Sequence, residues 1–271
     1  MALRAKNILL VGHLCKTMNV IINGCSGKMG QAVEKAANSS GDCTVIAGVD
    51  LYGAKTSKYP IFKNLKEVDS NITNNADVLI DFSNPSALDD ILVYVEKEKI
   101  PAVICTTGFT DNQVEKIKNV SKSVPIFYSR NMSLGINLIL ELAKKATKIL
   151  ENDFDVEIIE KHHNQKIDAP SGTALMIAEE ISSAMPQLSN YVFDRSKIKE
   201  KRSKNEIGIH SIRGGTRPGD HEVIFAGEKE IVTLSHHAES REIFANGAIK
   251  AAKYLVRQKP GFYTMKDMIK S

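Results

Sequence analysis

The segment GCSGKMG, from Gly24 to Gly30, constrains the fold of this chain more than any other. Before it runs NVIING, an apolar β-branched stretch of strand length. After it come KMGQAVEKAANSS, with helical spacing, and CTVIAGVD, a second strand. Strand, glycine turn, helix and strand in this order make a right-handed βαβ unit and commit the sheet to parallel pairing. Gly24, Gly27 and Gly30 have the spacing GxxGxxG, so the backbone can approach a pyrophosphate that then rests on the helix-start amides. Such a triplet also serves tight turns. The flanking elements make it a dinucleotide loop, together with Asp50, which closes the second strand where a carboxylate meets ribose hydroxyls.

Asp50 also bears on the choice of cofactor. A carboxylate there accepts hydrogen bonds from a 2′-hydroxyl and repels a 2′-phosphate, and the next residue is Leu51 rather than arginine, so NADH is favoured. Lys28 in the loop and Lys55 beyond it are cations able to neutralise a phosphate, which keeps NADPH open as the alternative.

Strand-like runs DVLIDFS, PAVICTT and VPIFYSR follow, with helical runs after Asn84 and Asp111, and complete a Rossmann-like, doubly wound α/β domain. From Leu134 the rhythm changes. The helix LGINLILELAKKATKIL precedes the strands FDVEIIE, EIGIHSIR, HEVIFAGE and KEIVTLSHHA, which suit an α+β domain with an open, mainly antiparallel sheet. A last helix, REIFANGAIKAAKYLVRQ, stops at Pro260-Gly261. The expected division is an N-terminal extension at 1–17, a dinucleotide-binding domain at 18–133 to which 242–271 returns, and a substrate-binding and oligomerisation domain at 134–241.

Thirty-six basic and thirty-two acidic residues leave a net charge of +4, which does not indicate nucleic acid. The lysine-rich RSKIKEKRSK reads as a solvated loop. Cys15, Cys25, Cys43 and Cys105 form no CxxC pair, so reduced thiols in a cytoplasmic protein are expected. No metal is expected either, because the neighbours His162/His163 and His236/His237 point to opposite faces of an extended chain. No apolar run is long enough for a membrane span, and ILLVG before Lys16 is too short for a secretory core.

Chemistry concentrates in EKHHNQKIDAPSGTA, Glu160 to Ala174. If the chain stays extended, His162, Asn164 and Lys166 share one side. Ser171 is placed to cap a helix whose first amides, at Gly172 and Thr173, attract carboxylates or phosphates. Taken singly these are surface histidines, a solvated lysine and an N-cap. Clustered in one short segment they make a site for proton transfer on an anionic substrate.

From Met18 to Ser271 the chain resembles the 4-hydroxy-tetrahydrodipicolinate (dihydrodipicolinate) reductases of the diaminopimelate route to lysine. GCSGKMG, DFS at Asp81 to Ser83, CTTGF at Cys105 to Phe109, EKHHNQKIDAPSGTA, and RGGTRPGDHEVIFAGEKEIVTLSHHAESREIFANGAIKAA carry the resemblance. The fourth is highly specific, whereas many dehydrogenases share the first. The resemblance implies that Gly24, Cys25, Ser26, Gly27, Lys28, Met29 and Asp50 hold the dinucleotide. Cys105, Thr106, Thr107, Ser129, Arg130, Asn131 and Met132 then line the nicotinamide side. The family more often has glycine at Cys105 and alanine at Ser129 and Arg130.

It further implies His162 and Lys166 as the acid/base pair and His163, Lys166, Gly172 and Thr173 as contacts to a cyclic dicarboxylate. Lys166 is the expected proton donor with His162 as its partner, and the assembly a homotetramer built through the second-domain sheets. His221, His236 and Arg241 read as structural, with Arg241 alternatively meeting a substrate carboxylate. A homoserine or aspartate dehydrogenase would share the first domain but not DAPSGTA, and a non-catalytic dinucleotide sensor would need only the glycine loop.

Overall fold

The computed structural model describes residues 17–53, 58–150, 153–187 and 189–270. Nearly all of the expected N-terminal extension, with Cys15, and the phosphate contact expected of Lys55 lie outside these residues.

The first strand, β1 (Met18–Asn23), buries Val20, Ile21 and Ile22 completely, with no polar alternation. That pattern belongs to a parallel strand covered on both faces. Helix α1 (Lys28–Ser40) and strand β2 (Cys43–Val49) complete the βαβ unit. There follow β3 (Ile61–Phe62), α2 (Ser70–Asn75), β4 (Val78–Asp81), α3 (Leu88–Glu98), β5 (Ala102–Ile104), α4 (Asp111–Ser121) and β6 (Pro125–Tyr128). The chain then forms α5 (Leu134–Leu150), β7 (Asp155–His162), α6 (Gly172–Ser182), β8 (Asn190–Val192), β9 (Glu206–Arg213), β10 (Gly219–Ala226), β11 (Ile231–Ala238), α7 (Glu242–Leu255), β12 (Gly261–Tyr263) and α8 (Met265–Lys270).

Seven strands pair in parallel in the order β12-β6-β5-β4-β1-β2-β3. The progression reverses between β1 and β4, so a crevice opens at the carboxyl ends of those strands, where α/β sheets bind ligands. Ile91, Val95 and Ile117 of α3 and α4 cover one face, packing with Ile21, Leu79 and Ile104. Val33 and Ala37 of α1 and Ala248, Ala252 and Leu255 of α7 cover the other. Helix α1 sits directly on its own loop: a Cβ on Gly30 would lie 2.2 Å from the carbonyl oxygen of Gly24.

The second sheet is open and has the order β11-β10-β7-β9-β8. It is mixed: β11/β10 and β10/β7 are antiparallel, whereas β7/β9 and β9/β8 are parallel. A short turn joins β10 to β11, whereas β7 connects onward through α6, and a crossover of that kind delivers parallel strands. Ile139, Leu140 and Ala143 of α5 and Ile177, Ala178 and Ile181 of α6 cover one face, over Val156, Ile158, Ile207 and Val223. Beyond Pro260-Gly261 the chain does not stop. It adds β12 to the first sheet beside β6 and ends the described part in α8, two elements too short to leave a periodic signal.

Candidate active site in the cleft between the two sheets

At the carboxyl ends of β1 and β2 a groove of about 510 Å³ is lined by Gly24, Ser26, Gly27, Asp50, Lys63 and Phe82, among others. Gly27 is the N-cap of α1 and supplies no capping side chain, and the first turn carries no acid, so the helix start suits an anion. The Asp50 carboxylate accepts from the Ser26 amide at 3.0 Å and the Tyr52 amide at 3.1 Å, which fixes it beside the loop. The Cys25 side chain turns the other way: a Cβ on Gly48 would lie 2.5 Å from its Sγ, and burial pushes its thiol up. Lys28 is exposed and outside the groove lining, whereas Lys63, which the sequence did not single out, is inside it.

Phe82 and Ser83 are shared with an adjoining cleft of about 770 Å³. Met29, Cys105, Thr106, Thr107, Arg130, Asn131 and Met132 line it from the first sheet. Burial holds the Cys105 thiol well above its ordinary value, so it is no nucleophile. Behind this wall the buried Asp81 accepts from Asn23 Nδ2 at 2.8 Å, Ser83 Oγ at 2.6 Å and Thr106 Oγ1 at 2.7 Å, tying the ends of β1, β4 and β5 together. Ser129 does not line the cleft. Its hydroxyl donates to the carbonyl of Asn131 at 2.7 Å, shaping the loop that Asn131 occupies. Asn131 Nδ2 then donates to Thr173 Oγ1 across the cleft at 2.9 Å.

His162, His163, Lys166, Gly172 and Thr173 line the opposite wall. The expected alternation fails, because β7 ends at His162 and the chain turns, with the Lys166 amide donating to the His163 carbonyl at 3.1 Å. Both histidines therefore reach the cleft, while Asn164 is exposed outside its lining. Lys166 Nζ binds both oxygens of Asp168, at 2.7 and 2.8 Å. Burial works to raise the Asp168 carboxyl, and the lysine outweighs it and holds it low. Partial burial, and then the charges of Arg241, His162 and Lys166, keep His163 below its ordinary value.

Ser171 caps α6, accepting from the Ala174 amide at 3.1 Å. Its hydroxyl also meets His221 Nε2 at 3.0 Å, and the His221 ring stands edge-on to His162 with centroids 5.2 Å apart. Burial depresses His221 to about 3, so that ring is neutral. Gly219 makes room for the His162 imidazole, since a Cβ there would lie 2.6 Å from its Nε2. Among the described residues no group of three or more His, Cys, Asp or Glu is placed to hold a metal ion, and no helix is long and apolar enough to cross a membrane.

Two family models for dihydrodipicolinate reductase match this chain: the N-terminal part over residues 18–132 and the C-terminal part over 135–269. The chain belongs to the dihydrodipicolinate reductase family. It is 50% identical over 253 residues to a 4-hydroxy-tetrahydrodipicolinate reductase of Caldanaerobacter subterraneus subsp. tengcongensis, covering 93% of this chain and 98% of that one. A second such reductase, from Clostridium novyi, is 50% identical over 252 residues with the same coverage. The dipicolinate-bound dihydrodipicolinate reductase from Paenisporosarcina sp. TG-14 superposes with a TM-score of 0.77 at 27% identity, over 92% of this chain and 97% of its own.

Within this reductase framework, four side chains besides Lys63, at or behind the site, escaped the sequence. Asp168 and Glu160 lay inside the decisive segment, and strict alternation along β7, which buries Val156, Ile158, Glu160 and His162, would have turned Glu160 inward beside its histidine. Asp81 stood within DFS. Arg213 carried no local signal, because only the register of β9 places it opposite His162.

Proposed function

We propose that this chain reduces 4-hydroxy-tetrahydrodipicolinate, by way of dihydrodipicolinate, to tetrahydrodipicolinate, with NADH as the favoured donor and NADPH as the alternative. The observation that carries the reading is a cleft that adjoins, at Phe82 and Ser83, the groove holding a cofactor-type loop. Its two walls bear Thr106, Thr107 and Met132 on one side and His162, His163, Lys166 and the Gly172-Thr173 turn on the other. The bare helix start at Gly27, the close seat of Gly30 and the Asp50 carboxylate fit a dinucleotide. Its reduced nicotinamide supplies hydride to carbon 4 of the substrate ring.

The protein's part is to hold a dicarboxylate and manage a proton. His163, the amides at Gly172 and Thr173, and Lys166 present positive character to the two carboxylates and orient the ring. Arg241 also lines the cleft and joins them as a carboxylate contact. As hydride arrives, negative charge spreads toward the ring nitrogen and carbon 3. Lys166 stabilises that charge and donates the proton, with His162 as its partner. Loss of water from the 4-hydroxy substrate precedes reduction.

Residues 18–133 with 242–271 act as the dinucleotide domain and 134–241 as the substrate domain in this reading. A homotetramer built through the uncovered face of the second sheet belongs to it, as does a cytoplasmic setting for the buried thiols of Cys25, Cys43 and Cys105. Purified protein should oxidise NADH only when the aldol product of pyruvate and aspartate semialdehyde is supplied, faster than NADPH, and dipicolinate should compete with substrate. Turnover of homoserine or aspartate instead would overturn the proposal.

A further inference from the structure

Behind the cleft, outside its lining, the Glu160 side chain is completely buried. A carboxylate withdrawn from water is costly unless charge-assisted partners replace its hydration. Here Oε2 accepts from His162 Nδ1 at 2.6 Å and Arg213 Nη1 at 2.7 Å. Oε1 accepts from Arg213 Nη2 at 2.7 Å and from the Ser171 backbone amide at 3.0 Å. Arg213 Nη2 reaches further, to the carbonyl oxygen of Asp168 at 2.6 Å. One ion pair thus touches the loop 163–171 where it leaves β7, in its middle and where it enters α6.

These are the points that set the site. His162 is the partner of Lys166 in proton transfer, Asp168 holds the Lys166 ammonium, and Ser171 starts the turn whose next two residues face the substrate. An ionised carboxylate accepts and never donates, so the Nδ1 of His162 must carry hydrogen, and Nε2 is the nitrogen left for chemistry. Burial acts to raise the Glu160 carboxyl, but hydrogen bonds from His162, Arg213 and Ser211 outweigh it and hold the group well below its ordinary value. It therefore stays ionised and takes no part in proton exchange.

We propose that Glu160, clamped by Arg213, is the positioning residue of this active site: it fixes the tautomer and orientation of His162 and sets the substrate-binding turn of α6 against it. Hydride and proton transfer remain with the groups that touch substrate. The kinetic side rests on the reductase reading above, and the tautomer side does not.

Glu160→Gln keeps the shape and removes the charge. In enzyme free of substrate, ring ¹⁵N spectra, with the His162 signal assigned by its loss in His162→Gln, should show a Nδ1-protonated ring in the parent and loss of that preference in Glu160→Gln. The same variant should lose about 100-fold or more in kcat with an unchanged NADH dissociation constant. An unaltered His162 ring signal, or kcat within about threefold of the parent, would overturn the proposal. Should Glu160→Gln not fold, Arg213→Lys decides: loss of the fork to Glu160 and Asp168 should raise the substrate KM and lower kcat, and parent kinetics would overturn it. Parent enzyme that fails to turn over the substrate would defeat the reductase reading and leave the ring spectrum to judge Glu160.

Discussion

Lys166 reaches the cleft already paired, its ammonium gripping both oxygens of Asp168. In the proposed reaction a substrate carboxylate entering there competes with an internal one for an ammonium already aimed into the cleft. On the same proposal, replacing the lysine with alanine removes an interaction made chiefly in the transition state. Lys166→Ala should therefore lower kcat by about 10² to 10⁴ while NADH affinity stays near that of the parent, and weaker cofactor binding with intact turnover would contradict the assignment. Asp50 is held by two amides in the other compartment, beside the glycine loop. Asp50→Ala should move the ratio of kcat/KM values toward NADPH, and an unchanged ratio would mean that its carboxylate does not face the ribose. At this scale the legible residues were those clustered in sequence. Glu160 was legible only as a neighbour, and Arg213 not at all, because its partner stands across a strand pairing.

Helix α6 is a packing element whose first turn lines the cleft and is proposed to bind substrate. Its apolar stripe, Ala174, Ile177, Ala178 and Ile181, buries against β7 and β9, and that seat leaves the first turn at the cleft. The Ser171 hydroxyl satisfies one amide of that turn and meets His221, so the cap also connects the helix to β10. Ser171→Ala should cost about 1 kcal/mol of stability, read from the denaturation midpoint, and raise the substrate KM more than that of NADH. Equal changes in both would place its role in folding alone. Long periodic elements such as α1, α5 and α7 could be read from apolar spacing, since most of their signal is burial of one face. The strands β3, β8 and β12, with two or three residues each, exist because a neighbouring strand offers an edge. Nothing local encodes that edge, nor the turn after His162 that brings both histidines to one wall.

On the scale of the whole molecule, Glu160 and His221 are both buried behind the second-sheet wall of the cleft, and they make its stability depend on acid in a defined way. His221 is depressed to about 3 in the fold, chiefly by burial and then by the neighbouring His162, whereas an unfolded chain protonates it near 6.5. Between those values the unfolded state binds the extra proton, so stability rises with pH across the window and is lost as pH falls through it. His236 is lowered in the same sense by burial. Glu160 adds a second, more acidic loss: its contribution is complete above 4.5 and disappears as pH falls toward its lower folded value. The His221 part amounts to a few kcal/mol at most, at about 1.4 kcal/mol per pKa unit. Melting temperature measured by calorimetry should therefore decline from pH 6.5 downward and steepen below 4.5. In His221→Gln the upper decline should flatten while the lower one persists, because Glu160 and its partners remain. A parent profile flat down to pH 4.5, or a variant with the parent's upper slope, would show that the ring beside Ser171 is not held neutral by its burial.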